Sequence, residues 1–108
     1  MTSQETLLSW FGAIQFNKIT VAQDHTTKTW LSNHPKSGRL KDLSAIGIKR
    51  FEILETEEIS PVMHRHIVSV THKKGKSKIQ LMTIKESAPY NPSIAGTWGV
   101  NPVSWEAK

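Results

Sequence analysis

The sequence predicts an α+β protein, in which N-terminal helices pack on an antiparallel sheet of about four strands. Near the N-terminus, Leu7, Phe11 and Ile14 recur at helical spacing behind a capping Thr2 or Ser3. From residue 48 onwards apolar and polar residues alternate instead, which is typical of strands with one buried face. The 108 residues suit one domain, residues 1–108, with a single modest core.

The helical part is predicted to begin with a helix over Ser3–Phe16, with Trp10 beside its apolar stripe. One or two further helical segments are expected over residues 19–31, where β-branched residues weaken the helical pattern. Residues 33–38 contain Pro and Gly and predict a loop. A short helical turn then precedes the strands, marked by Leu40, Leu43 and Ile46.

The first strand is predicted over Ile48–Glu55, with Phe51 and Ile53 on one face. An acidic turn of glutamates is expected to follow it and to end at Pro61. This turn contains Glu55, Glu57 and Glu58.

Residues 61–86 predict a long hairpin with arms Val62–Lys73 and Lys78–Lys85. The turn between the arms contains Gly75, which can take the positive φ that hairpin turns require. One face of the first arm carries Val62, His64, His66, Val68 and Val70, and the other carries Met63, Arg65, Ile67, Ser69 and Thr71. In the return arm Ile79 and Leu81 share a face, and Met82 and Ile84 are placed on the other after a slip of phase.

The last part of the chain predicts an exposed loop over residues 88–93 and a final strand over residues 97–105. Pro102 places this strand at a sheet edge or bends it, because proline has no N–H for a ladder.

Composition excludes some kinds of chemistry. The chain has no cysteine, so disulfides, thiolate catalysis and zinc–cysteine sites are ruled out. Its formal net charge of +5 is spread along the chain and is interpreted as a solvated basic surface, with weak, non-specific nucleic-acid binding at most. The N-terminus lacks the pattern of a secretory signal, and no apolar run could span a bilayer. These features predict a cytoplasmic protein without membrane insertion, or an extracytoplasmic one if a leader or anchor was removed.

Three stretches resemble the nuclear-transport-factor-2-like superfamily. They are TLLSWFGAIQFNKITVAQDHTTKTWLSN, LKDLSAIGIKRFEILETEEIS and GTWGVNPVSW, which are similar to that family's opening helices, its entry into the first strand and its terminal strand. The resemblance implies a curved sheet that wraps around the helices as a cone, with a pocket at the open end. It also implies closeness to the small non-catalytic accessory or lipoprotein-borne domains of that class, which bind or assemble, so an enzyme is not the favoured interpretation.

No catalytic residue and no cofactor is assigned, because the acid–base set of the family's enzymes has no match here. The predicted ligand pocket consists of three tryptophans and a histidine, Trp10, Trp30, His66 and Trp98. An alternative is a small isomerase- or dehydratase-type enzyme that uses His25 or His66 as its base.

His64 and His66 stand on one face of a strand, about 7 Å apart. Two imidazoles so placed could bind a metal with a third ligand such as His25, His34 or Glu52, but polar residues on a solvated sheet face are the favoured interpretation and no metal is assigned. The hairpin tip is also basic, and an anion-binding role is considered for its lysines, with a nucleic-acid-binding protein as a further alternative. These residues are Lys73, Lys74, Lys76 and Lys78.

A homodimer through the sheet face is predicted, because so small a chain has few helices with which to cover both faces of a sheet. The face is expected to carry Val, Ile, His and Trp side chains. His64 or His66 would then meet its own copy, and the dimer would loosen below about pH 6. A protein partner is a further expectation of the resemblance.

Overall fold

A computed structural model describes residues 2–32, 38–87 and 91–102. Four helices come first: α1 (Ser3–Gln15), α2 (Ile19–Asp24), α3 (Lys28–Ser32) and α4 (Gly38–Ala45). Five strands follow: β1 (Ile48–Ser60), β2 (Met63–His72), β3 (Gly75–Ser87), β4 (Asn91–Pro92) and β5 (Thr97–Asn101). The predicted α+β class with an antiparallel sheet is therefore confirmed. None of the described helices is long and apolar enough to cross a membrane.

A reciprocal capping box starts α1. The Thr2 hydroxyl accepts a hydrogen bond from the Glu5 backbone N–H at 3.1 Å, and the Glu5 carboxylate accepts one from the Thr2 N–H at 2.7 Å. Both bonds satisfy N–H groups that the first turn of a helix leaves without partners. One side of α1 then supplies a large part of the core, with Leu7, Trp10, Phe11 and Ile14 fully buried.

The sheet has the order β1-β2-β3-β4, and β5 also pairs with β3. The β2–β3 ladder is unbroken from His72 opposite Gly75 to Met63 opposite Ile84. The predicted hairpin is confirmed, although its turn is only two residues long and Gly75, with φ 137°, is already the first residue of β3. The expected slip of phase in the return arm is wrong, because Ile79 and Leu81 alternate with Met82 and Ile84 in a regular strand.

Alternation gives the sheet two faces with different neighbours. The inner face lies against the helices and carries buried residues, including His66, Val68 and Val70 from β2 and Ile79, Leu81 and Thr83 from β3. The outer face carries the residues between them. Phe51 extends the inner face onto β1, where its ring stacks on Phe11 at a centroid distance of 4.9 Å.

The predicted acidic turn is wrong, because β1 continues through these glutamates to Ser60. Its pairing with β2 shifts register at three places, so Lys49, Leu54 and Ile59 each have no opposite residue. Such bulges bend and twist a strand. They explain why strict alternation fails along β1.

The C-terminal strands close the sheet. Asn91 and Pro92, which the sequence placed in a loop, pair with Ser87 and Glu86 of β3. β5 is shorter than predicted and ends at Asn101, while residues 103–108, including Trp105, lie outside the described residues. On its far side Val100 exchanges backbone hydrogen bonds with His25 and Thr27, so β5 is held from both edges.

Candidate functional site

A cleft of about 520 Å³ opens between the end of α4 and the β2–β3 hairpin. Its floor is apolar and consists of Ala45, Ile46, Val70 and Ile79. Polar and charged side chains surround this floor: Asp42, His72, Lys73, Lys74 and Ser77. An apolar cavity of this size with a few polar groups at its mouth matches the usual form of a small-molecule site.

The hairpin tip is fixed against the turn that follows α4. Gly47 has φ 77°, and a Cβ at this position would lie 2.6 Å from side-chain carbons of Lys73. The aliphatic stem of Lys73 therefore lies directly across Gly47. Nearby, the His72 ring binds the Ser77 hydroxyl through Nε2 at 2.9 Å and accepts from the Lys74 N–H through Nδ1 at 3.3 Å. These contacts give the rim of the cleft a defined shape.

The four lysines predicted to bind anions divide into two pairs. Lys73 and Lys74 line the cleft. Lys76 and Lys78 alternate with Ser77 and Ile79 along β3, so they belong to the outer face. The structure therefore brings only Lys73 and Lys74 to the cleft.

The predicted ligand-pocket residues are also separated. Trp10, Trp30 and His66 are buried within the core, with 0%, 3% and 0% of their surface exposed. Trp10 donates from Nε1 to the Thr26 hydroxyl at 2.9 Å, and that hydroxyl donates to the Ala22 carbonyl. Trp98 alone of the four lines clefts open to solvent, at the far end of the sheet.

His66 is enclosed by hydroxyl groups. Its Nδ1 lies 2.9 Å from the Thr56 hydroxyl on β1, and its Nε2 lies 2.9 Å from the Thr83 hydroxyl on β3. A neutral imidazole has one donor and one acceptor, so two hydroxyls satisfy it completely. Burial, together with a smaller effect of the neighbouring His64, lowers the pKa of His66 to about 4. His66 is thus a neutral part of the core above that pH.

His64 belongs to a separate polar cluster around Trp98. The centroids of the His64 and Trp98 rings lie 4.6 Å apart, and the Ser3 hydroxyl lies 2.6 Å from His64 Nδ1. The Lys85 ammonium stands 5.8 Å from the centre of the Trp98 ring. Asp24 and His25 line a cleft of about 350 Å³ beside this ring. Among the described residues, no group of three His, Asp or Glu side chains could hold a metal ion.

The outer face has a composition that the sequence analysis did not predict. Its apolar side chains are Met63, Ile67, Met82 and Ile84, so of the expected Val, Ile, His and Trp only Ile is present. The expectation was wrong for Val, His and Trp because they share the inner-face parity of the strands, and His66 is fully buried there. His64 and His66 therefore cannot meet their own copies across the outer face.

Charge divides the outer face from one side to the other. The ladders place Glu52, Ser69 and Lys78 in one row across β1, β2 and β3, and Glu55, Ile67 and Gln80 in the next. Arg65 forms an ion pair with Glu57 in the third row. The β1 side carries the three glutamates and Arg50, which shares a row with Thr71 and Lys76, so its net charge is negative. The β3 side, with Lys76 and Lys78, is basic.

Sequence reasoning missed the cleft because its floor and rim come from α4 and the hairpin, which are far apart in the chain. The alternation of side chains along β3 could have shown that Lys76 and Lys78 lie on the opposite face of the strand from Ser77 and Ile79. No protein-family model matches the chain, and a search of curated proteins finds no match to it.

Proposed function

We propose that the chain is a non-catalytic assembly module of the nuclear-transport-factor-2-like class, which associates as a homodimer through the outer face of its sheet. The proposal of a cone is supported by the order of helices before strands, by the packing of α1 on the inner face and by the three bulges of β1. The enzyme alternative has less support, because both ring nitrogens of the buried His66 are bound by threonines.

The observation that carries the dimer is the outer face itself. Four partly buried apolar side chains lie together on β2 and β3, next to the glutamates of β1 and the lysines of β3. Contiguous apolar groups with a polar rim are typical of protein interfaces. Because the charges are divided between the two sides, a second copy can complement this face.

A two-fold axis parallel to β2 provides that complementarity. Such an axis places β1 of one copy over β3 of the other, so Glu52 of each copy faces Lys78 of its partner. It also sets Arg50 against Lys76, so the complementary charge pair is the one between Glu52 and Lys78. Ile67 then meets its own copy at the centre, and Arg65, which also lies near the axis, keeps Glu57 as its counter-ion. A two-fold axis perpendicular to the strands would instead oppose like charges.

Charge reversal tests this arrangement. We expect Lys78→Glu, or Glu52→Lys, to weaken the dimer by about tenfold at low salt, because each change opposes like charges. The combined variant with both changes should recover most of the lost affinity, because the complementary pair is restored with its signs exchanged. Sedimentation equilibrium over a concentration series measures the dimer dissociation constant.

Ile67→Lys tests the centre of the same surface. It should produce a monomer at every salt concentration, since it buries a charge among apolar groups. Val21→Lys on α2 is the matched control, because Val21 is also an exposed apolar residue, at 43%, but lies on a helix. A wild-type monomer at high micromolar concentration would overturn the proposal, and so would a combined charge variant no tighter than its parents.

A further inference from the structure

We propose that the cleft between α4 and the β2–β3 hairpin binds a single-chain amphiphile with a carboxylate head, such as a medium-chain fatty acid. The alkyl chain lies on the apolar floor, and the carboxylate is held by Lys73 and Lys74 at the rim. This goes beyond the proposed dimerisation, because the cleft opens on the inner side of the sheet and the dimer uses the outer side.

The floor determines the apolar part of the ligand. Ile46, Val70 and Ile79 present only hydrocarbon, and the volume of about 520 Å³ is within the range of small-molecule sites. Burying alkyl surface on such a floor is favourable in proportion to the area removed from water. A polar ligand such as a sugar would lose hydrogen bonds to water there without replacement.

The rim determines the head group. Lys73 and Lys74 against Asp42 leave one positive formal charge, which complements a monoanion better than a doubly charged phosphate. The Ser77 hydroxyl stands at the same rim and can donate a hydrogen bond to a carboxylate oxygen. The stem of Lys73 is already fixed across Gly47, so less side-chain freedom is lost when its ammonium binds.

The hairpin provides a matched control for the charges. Lys73→Gln with Lys74→Gln removes two charges from the rim, and Lys76→Gln with Lys78→Gln removes two from the same hairpin on its opposite face. Decanoate binding, followed by titration calorimetry and by backbone amide shifts, should weaken by about tenfold in the first variant and by less than about twofold in the second. The dimer is tested separately by Lys78→Glu and Glu52→Lys on the outer face, so failure of one proposal is distinguishable from failure of the other.

Two further measurements test the apolar floor. Ala45→Trp fills the cleft from an exposed position on α4 and should abolish decanoate binding while leaving the thermal midpoint close to that of the wild type. Decanol, which has the same chain without the charge, should bind the wild type and the Lys73→Gln/Lys74→Gln variant equally. Amide shifts at Ile46, Val70 and Ile79 on adding decanoate would support the site.

Three outcomes would overturn the proposal. One is that substituting either lysine pair weakens decanoate binding equally, which would indicate a general effect of net charge. Another is unchanged binding in Ala45→Trp. The third is a set of decanoate-induced shifts confined to the outer face or to the Trp98 end of the sheet.

Discussion

Replacing Trp10 by alanine is expected to lower the free energy of unfolding by about 3–5 kcal/mol, the usual cost of truncating a buried tryptophan. The side chain is fully buried, packs edge-on against Phe11 at 5.1 Å and donates a hydrogen bond to Thr26. Small domains have only about 5–15 kcal/mol of stability in total, so this variant should be close to unfolding at ambient temperature. Urea denaturation followed by circular dichroism measures the loss.

Leu8→Ala is the matched control for this prediction. Leu8 lies on the same helix two residues earlier, but 46% of it is exposed. Its truncation should cost well under about 1 kcal/mol, because surface substitutions remove little buried area. Similar losses in the two variants would show that α1 does not bury the face described above.

Acidification should destabilise the protein through His66. The folded protein keeps this imidazole neutral down to its lowered pKa of about 4, whereas the unfolded chain protonates it near its ordinary value of 6.5. Between these two values the unfolded state binds one proton more than the folded state, so stability falls as the pH falls through this window. The full shift corresponds to about 3 kcal/mol, which is present above pH 6.5 and lost by pH 4.

The contribution of His66 is isolated by comparing variants. Carboxylates also titrate at low pH. The quantity to compare is therefore the difference in the free energy of unfolding between the wild type and His66→Gln, measured by urea denaturation at neutral and at acidic pH. This difference should shrink or reverse on acidification, because the variant has no imidazole to protonate. His72→Gln at the hairpin tip serves as the control. Parallel stability curves for the wild type and His66→Gln would contradict the prediction.

The sequence was sufficient for those parts of the fold in which local chemistry and tertiary structure agree. The stripe of Leu7, Phe11 and Ile14 predicted α1, and Gly75 marked the hairpin, because only glycine takes its backbone angle easily. Prediction from the sequence was wrong along β1, because the bulge residues Leu54 and Ile59 interrupt the two-residue alternation of the strand. Glutamates in a bulged strand cannot be distinguished from glutamates in a turn by alternation alone.

The candidate sites were less predictable because they depend on non-local packing. The predicted pocket relied on large aromatic residues, but Trp10 and Trp30 gain more from burial in the core than from a place at an open surface. The cleft is instead formed by Ala45 and Ile46 meeting the hairpin, and nothing in the local sequence predicts that contact. The two-residue alternation of β3 is enough to place Lys76 and Lys78 on the outer face, away from the cleft. The position of Lys73 at the cleft depends instead on its packing against Gly47, which the local sequence does not predict.

The bulges of β1 also bear on aggregation. Within the described residues β1 pairs only with β2, so this strand of 13 residues is an edge strand of the sheet. A regular edge strand of that length would present unpaired backbone N–H and C=O groups with which a strand of another chain could pair. Successive bulge residues leave only four regularly paired residues between them, fewer than the roughly six or seven that stack in a cross-β fibril. An incoming strand would lose register at each interruption, so the shape of β1 resists fibre growth although Leu54 and Ile59 are half exposed.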